Sequence, residues 1–178
     1  MHVFVSGRPS LNLLGTLKWR RDEPEELLTT PADVRDWFAA SGPSWSVTPT
    51  GDDVAAVREV REALYGVVTA IRAGHRPPRT AVTVLNDLAA RPGAQLKLAV
   101  DGTVRRSATV EQALAEIVRD GLDLLAGDDS AKVRDCSNPR CTRLFVDTSR
   151  GGTRRWCGMT ECGNAAKVAA FRARRQLD

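Results

Sequence analysis

Residues 136–164 read CSNPRCTRLFVDTSRGGTRRWCGMTECGN and contain all four cysteines of the 178-residue chain. The cysteines form two C-x4-C pairs, Cys136 with Cys141 and Cys157 with Cys162, and 15 residues separate the pairs. Two short cysteine pairs joined by a hairpin-length spacer are typical of a zinc site with four thiolate ligands. The sequence therefore predicts one structural zinc ion, bound by these four cysteines, near the end of the chain.

Three other uses of four cysteines fit this pattern less well. A thioredoxin-like redox dithiol has two residues between its cysteines, whereas four separate each pair here. The spacing also differs from the common ferredoxin patterns for iron–sulfur clusters. A catalytic zinc ion keeps an open coordination position, which four cysteines would close. We therefore predict no catalytic residues, and no nucleophile–base pair or phosphate-binding loop in the sequence indicates an enzyme.

The residues around the cysteines predict a small zinc module. Arg143–Ser149 and Thr153–Cys157 have the character of two strands joined at Gly151-Gly152. A helix is expected over Ala165–Gln176, directly after the second cysteine pair. The order of knuckle, hairpin and knuckle with helix is that of a treble-clef-like zinc finger. Zinc binding should contribute on the order of 10 kcal/mol to the folding of so small a module.

The charge of the chain is unevenly distributed. Residues 131–178 carry 11 basic and 4 acidic side chains, a net charge of +7, whereas residues 1–130 carry 15 basic and 18 acidic ones, a net charge of −3. Such a density of positive charge can be a solvated face, but beside a metal knuckle it favours nucleic-acid binding. We predict contacts to double-stranded DNA, mostly to phosphates, from Arg143, Arg150, Arg154, Arg155, Lys167, Arg172, Arg174 and Arg175.

The first 130 residues predict a mainly helical body with a small antiparallel sheet, so the fold class is α+β. Apolar residues three or four apart predict helices at 31–40, about 52–73, a segment capped by Thr80, and 109–125. Gly7–Leu17 fits either a short buried strand or the start of a helix. Gln95–Val100 and Thr103–Ser107 are predicted strands, because Asp101-Gly102 between them is a strong hairpin-turn signal.

The change in charge near residue 130 predicts two domains, a body over 1–130 and a zinc finger with a basic C-terminal helix over 131–178. No stretch approaches 18 apolar residues, so we expect no membrane-spanning segment. The N-terminus also lacks the basic and apolar regions of a signal peptide. We therefore expect a cytoplasmic protein, where thiols stay reduced and paired cysteines favour a metal over a disulfide.

Several short motifs strongly resemble the CGNR zinc-finger family. The resemblance covers about 45 residues and rests on Cys136-Ser-Asn-Pro-Arg-Cys141, Leu144-Phe-Val-Asp-Thr-Ser-Arg150, Arg155-Trp-Cys-Gly-Met159 and Cys162-Gly-Asn164. Members of that family resemble bacterial, often actinobacterial, transcription regulators and pair the finger with an N-terminal domain called ABATE, proposed to sense a small ligand. The front of this chain is similar to ABATE through Gly7-Arg8-Pro9 and Asp36-Trp37-Phe38.

Three positions depart from the family pattern. Ala165 stands where the name motif of the family ends in arginine. Asn12 and Gly15 stand where the family usually has an aspartate and an asparagine. If those polar groups form a ligand pocket in the family, this chain binds a different ligand or none.

These features lead to the hypothesis of a bacterial, zinc-dependent, DNA-binding transcription regulator whose body senses a small ligand of unknown identity. Two alternatives remain open. The finger could be a docking surface of a protein-interaction adaptor, or it could bind RNA through Trp156 and Phe171 among its arginines. A homodimer is a further possible partner arrangement, because two-fold dimers are common among regulators, but no heptad or exposed apolar stripe in the sequence demonstrates one.

Overall fold

The computed structural model describes residues 2–41 and 45–175, apart from the side chains of residues 170, 171, 173 and 174. Its helices are α1 (Pro9–Leu14), α2 (Pro31–Ala40), α3 (Gly51–Arg72), α4 (Arg79–Ala89), α5 (Val110–Ala126) and α6 (Asn164–Arg175). Its strands are β1 (Leu17–Lys18), β2 (Glu25–Glu26), β3 (Gln95–Leu98), β4 (Val104–Ser107), β5 (Val133–Asp135) and β6 (Leu144–Val146). The strands form three antiparallel pairs, β1–β2, β3–β4 and β5–β6. This mainly helical α+β architecture with a C-terminal cysteine cluster confirms the predicted fold class.

Local side-chain chemistry explains where two of the helices begin. At the start of α2, the Asp33 amide donates to Thr30 Oγ1 at 3.2 Å, and the Thr30 amide donates to Asp33 Oδ2 at 2.8 Å. The hydroxyl of Thr29 and the donors of Thr30 lower the pKa of Asp33 to about 2. Thr109 and Gln112 form the predicted capping box of α5. The predicted cap of α4 at Thr80 is wrong, because Pro78 occupies the N-cap position.

One apolar core joins the helices, and it extends beyond residue 130. The helices α1, α3 and α5 pack against one another, with α2 and α4 on α3. Val133 of β5 and Leu144 and Val146 of β6 belong to this same core and are 1–3% exposed. The predicted domain boundary near residue 130 stays a prediction, but apolar packing continues across it. None of the described helices has both the length and the apolar character needed to cross a membrane.

A buried ionic network fixes the β1–β2 segment on α3. The Arg61 side chain is 3% exposed and donates to both carboxylate oxygens of Glu26, at 2.7 and 2.6 Å. Its remaining donors reach Thr16 Oγ1 at 3.1 Å and Glu62 Oε1 at 2.7 Å. Burial alone would raise the pKa of Glu26, but the hydrogen bonds and charge of Arg61 outweigh it and lower that pKa. The segment that carries Trp19 is thereby held in place.

Helix α5 approaches its neighbours most closely at Gly121. A Cβ atom at this position would lie 2.8 Å from Leu64 Cδ2 and 3.4 Å from Ser10 Cβ. We expect Gly121→Val to lower the free energy of unfolding by roughly 1–3 kcal/mol through overpacking, measured by urea denaturation. Gly51→Ala is the control, because nothing lies within 4 Å of a Cβ there. Equal stability of the two variants would contradict this account of the helix contact.

Candidate metal centre

The four cysteine sulfurs converge on one point. Their Sγ atoms all lie within 4.8 Å of one another, and all four residues are buried. The Sγ atom of Cys157 lies 3.8 Å from that of Cys141 and 3.7 Å from that of Cys162. Four ligands bound tetrahedrally at about 2.3 Å would be separated by about 3.8 Å. The arrangement therefore fits the four-thiolate site of one structural zinc ion.

The first cysteine pair lies in the turn of the β5–β6 hairpin. Asp135 pairs with Leu144, and the Cys136 amide donates to the Arg143 carbonyl at 3.2 Å. The Cys141 amide donates to the Asn138 carbonyl at 2.9 Å and closes the loop. A sharp turn between two paired strands thus brings the two sulfurs together.

This pairing corrects the predicted hairpin of the finger. The strand predicted over Arg143–Ser149 exists in part as β6, but its partner is β5 and not residues 153–157. Residues 153–157 form no strand. Gly151 and Gly152 do form a turn, with φ of +89° and +66°, where glycine avoids the steric strain of a left-handed backbone.

The second cysteine pair lies at the entrance to α6. A π-helical turn over Met159–Gly163 carries Cys162 and runs directly into the helix. A Cβ at Gly163 would lie 2.5 Å from Met159 Sδ, so a larger residue here would have to displace the Met159 side chain. The predicted helix is confirmed as α6 through Arg175, and its predicted last residue, Gln176, lies outside the described residues.

The local electrostatics favour a bound cation. Hydrogen bonds from Cys141 and Cys157 lower the pKa of Cys136 to about 2. Burial, together with the negative charge of Cys157 and Cys136, raises the pKa of Cys162 to about 12, and the same neighbours raise the pKa of Cys141. One thiolate therefore hinders ionisation of the next. A divalent metal ion removes this conflict and lets all four sulfurs ionise together.

The N-terminal segment forms one wall of the cysteine cluster. Val5 and Trp19 pack against it beside Phe145 and Trp156. Trp19 has a φ of 53°, a left-handed conformation that costs a bulky residue roughly 1–2 kcal/mol. Its ring lies 5.6 Å from the Arg140 guanidinium carbon. No pattern in the sequence indicated that residues so far from the cysteines would line the metal site.

Arg143, a predicted DNA contact, lies inside the protein. Its side chain is 5% exposed and forms an ion pair with Glu161. Burial opposes its charge, but the hydrogen bond and the charge of Glu161 outweigh burial and raise the pKa of Arg143. Gly15 lies against it, since a Cβ there would be 3.3 Å from Arg143 Nε. Arg143 thus connects the finger to the N-terminal segment.

Arg154, another predicted DNA contact, is also engaged internally. Its Nε donates to the Trp156 carbonyl at 2.9 Å, and its Nη2 donates to the Val5 carbonyl at 2.7 Å and to the Cys157 carbonyl. Its guanidinium carbon lies 4.3 Å from the Phe145 ring centre. The guanidinium therefore fastens the N-terminal segment to the loop that carries Cys157.

The other predicted DNA contacts have exposed side chains wherever the structure describes them. Arg155 lies 5.4 Å from the Trp156 ring centre at the surface of the finger. The side chains of Arg174 and Phe171 lie outside the described residues. The exposed members of the predicted set are Arg150, Arg155, Lys167, Arg172 and Arg175.

The three positions that depart from the family pattern lie near the finger. Asn12 Oδ1 accepts a hydrogen bond from the Ser6 amide at 3.0 Å, and the Ser6 carbonyl in turn accepts from the Val146 amide. Gly15 lies against Arg143, as described above. Ala165 is exposed and lines a cavity of about 440 Å³ together with Asn138, Trp156 and Cys162. Asn12 and Gly15 therefore support the contact between the N-terminal segment and the finger.

Two protein-family models match this chain. The ABATE model, described as "Putative stress-induced transcription regulator", matches residues 7–128. The model of the CGNR zinc finger matches residues 132–175, which include all four cysteines. Both descriptions are those of regulatory or zinc-finger families and not of enzymes. No curated protein matches the chain. The two matches confirm the resemblance seen in the sequence and, with the sulfur geometry, the expected structural zinc ion.

Replacing one ligand tests the four-thiolate assignment. We expect Cys162→Ser to lower the zinc content well below one ion per chain and to unfold the finger, because zinc contributes on the order of 10 kcal/mol to such modules. Elemental analysis after gel filtration and far-ultraviolet circular dichroism measure both effects. Ser137→Ala, an exposed change beside Cys136, should retain the metal. Full zinc content and an unchanged fold in Cys162→Ser would refute the assignment.

The adjacent residues Arg154 and Arg155 give a matched test of the internal contacts. We expect Arg154→Ala to lower the free energy of unfolding by roughly 1–3 kcal/mol, because it leaves partly buried carbonyls without a donor. Arg155→Ala should change it by less than about 0.5 kcal/mol, since that side chain is exposed. Thermal denaturation of the zinc-loaded protein measures the difference. Equal stability of both variants would show that the Arg154 contacts do not hold the segment.

Proposed function

This chain belongs to the ABATE family and carries a CGNR zinc finger, and from that premise we propose that it is a zinc-dependent transcription regulator that binds double-stranded DNA through the finger. The observation that carries the proposal is the exposed positive charge of the finger beside a rigid metal centre. Residues 131–178 have a net charge of +7. Duplex DNA carries a negative charge about every 1.7 Å of its axis, so its charge complements that of the finger.

Helix α6 supports this proposal through the distribution of its side chains. With 3.6 residues per turn, Lys167, Arg172 and Arg175 fall within an arc of about 140°. Ala165, Ala166 and Ala169 line the cavity beside the cysteine knuckle. Lys167 and Arg172 are exposed, so they are available to phosphates, while the three alanines line the cavity on the side of the cysteine knuckle.

The proposed contact set is smaller than the one drawn from the sequence. Arg143 and Arg154 leave it, because their guanidinium groups already bind Glu161 and backbone carbonyls. Moving either group to a phosphate would break contacts that hold the finger together. The proposed contacts are Arg150, Arg155, Lys167, Arg172, Arg174 and Arg175. They act mainly on the phosphate backbone and so supply affinity more than sequence preference.

We assign the sensing of a small ligand to the body. A crevice of about 600 Å³ lies where the end of α3 meets β5, and it is lined in part by Ile71, Arg72, Asp128 and Arg134. A molecule bound there would contact both the body and the first strand of the finger. Arg72 Nη2 donates to Asp135 Oδ2 at 2.8 Å across this junction. In this proposal, a ligand bound in the crevice acts on the metal module through such contacts. The proposed setting is the cytoplasm of a bacterium.

Paired neutralisations test the DNA contacts. We expect Lys167→Gln with Arg172→Gln to weaken binding of the zinc-loaded protein to all duplex sequences. We also expect the slope of log affinity against log salt to become shallower by about 0.9 for each phosphate that the variant no longer neutralises. Fluorescence anisotropy with labelled duplexes at several salt concentrations measures both. The control is Arg76→Gln with Arg79→Gln, which removes two exposed charges from the body and should leave the slope unchanged.

The same titration separates DNA binding from the alternatives. Absence of duplex binding by the zinc-loaded protein even at low salt would overturn the proposal and favour a protein-interaction adaptor. Tighter binding of single-stranded RNA than of duplex DNA would indicate an RNA-binding module. An equal decrease of the slope in the α6 variant and the body control would mean that the finger is not the contact surface.

A further inference from the structure

The β3–β4 hairpin exposes an unusual share of apolar surface. Leu96, Leu98 and Val104 are 62–70% exposed, and Val100 in the turn is fully exposed. Among the described residues, the other exposed large apolar side chains are Ile71, Met159 and Val168, and they are 40–49% exposed. Isolated exposed apolar residues are normal on a soluble protein, whereas a contiguous group of them marks an interaction surface.

The register of the hairpin places these side chains on one face. Leu98 lies opposite Val104 and Leu96 lies opposite Arg106, and directly opposed residues project to the same side of a sheet. The other face carries Lys97 opposite Arg105. The hairpin thus has one apolar face and one strongly basic face.

The root of the hairpin is anchored, but its tip is not. Arg106 forms an ion pair with Glu116 at 2.8 Å and lies 5.3 Å from the Trp45 ring centre. Ser46 forms a bridge with Ser107 at the end of β4. In the described part of the chain, the two strands make their extensive contacts only with each other. The apolar residues towards the tip therefore have little cover from the body.

We propose that the apolar face of this hairpin is the interface between two copies of the chain, packed face to face about a two-fold axis. An interface of this kind must be complementary to itself. The face meets that condition, because Arg106 is its one charged residue and Glu116 already neutralises that charge. A second copy can therefore pack against it without leaving a charge unpaired.

The basic face determines which side of the hairpin is used. If two copies met through their basic faces, Lys97 and Arg105 of one copy would contact the same two residues of the other. These like charges would repel each other. With the apolar faces together, the four cations of the two copies point outward into solvent. Exposed lysine and arginine also discourage further strand association, which limits the assembly to a dimer.

The size of the face indicates a weak dimer. A standard stable complex buries about 800 Å² on each partner, and a handful of side chains on a four-residue hairpin supplies less than that. We therefore expect weak association, reached at high protein concentration or where two chains are held on neighbouring sites. The dimer forms independently of DNA binding, so its association is measured without DNA.

Sedimentation equilibrium of the zinc-loaded full chain tests the interface. From low to several hundred micromolar, the average mass should rise from 19.3 kDa towards twice that value. Leu98→Ser with Val104→Ser should weaken the association by at least about tenfold, and circular dichroism should be unchanged because both side chains are exposed. Lys97→Ser with Arg105→Ser is the matched control on the opposite face and should dimerise at least as well as the unaltered chain.

Each contrary result overturns the proposal in a different way. A constant monomer mass for the unaltered chain up to several hundred micromolar would show that the face is not an interface between two copies. Undiminished association of the Leu98→Ser, Val104→Ser variant would place the interface elsewhere. Equally weakened association in the control would point to pairing through strand edges, and growth of mass beyond two chains would exclude the two-fold arrangement.

Discussion

Four buried sulfurs within 4.8 Å of one another can all carry negative charge only around a cation, and much of the molecule depends on this constraint. The cluster collects the turn of the β5–β6 hairpin, the π-helical turn and the start of α6. Val5 and Trp19 form its wall, so the cluster also contacts the N-terminal segment. The metal site is therefore in contact with residues outside the finger as well as within it. The apolar core that includes Val133 and Val146 continues these contacts into the body.

The basic residues of the finger divide into two groups with different physical roles. Arg143 and Arg154 are held by a carboxylate and by backbone carbonyls, and both lie beside the cluster. Four thiolates and one zinc ion carry a formal charge of −2, so guanidinium groups nearby also lower the electrostatic cost of burying the site. The second group, which includes the neighbouring Arg155, is exposed. Adjacent arginines thus have separate tasks, and a count of positive charge overstates the surface available to a polyanion.

The sequence predicted what depends on local chemistry. The capping residues Thr30 and Thr109 and the Asp101-Gly102 turn each act within a few residues, and the structure confirms these predictions together with the cluster of four cysteines. Apart from the cap of α4, which lies at Pro78 and not at Thr80, the errors involve pairing over distance. Strand β5 has three residues, only one of them buried, and its pairing with β6 could not be inferred from a pattern that also fits a hairpin at Gly151-Gly152. The burial of Arg143 was equally hidden, because a solvent-exposed arginine and one paired to Glu161 look the same in a sequence. The wall formed by Trp19 depends on a contact between residues more than 100 positions apart.

The contact between the N-terminal segment and the finger also affects the order in which the protein folds. Val5 and Trp19 are synthesised more than 100 residues before their packing partners in the cysteine cluster. The bond from Arg154 to the Val5 carbonyl spans 149 positions of sequence. Long-range contacts of this kind close slowly and late in folding. The N-terminal segment therefore cannot complete its packing until the four cysteines have been synthesised and have converged.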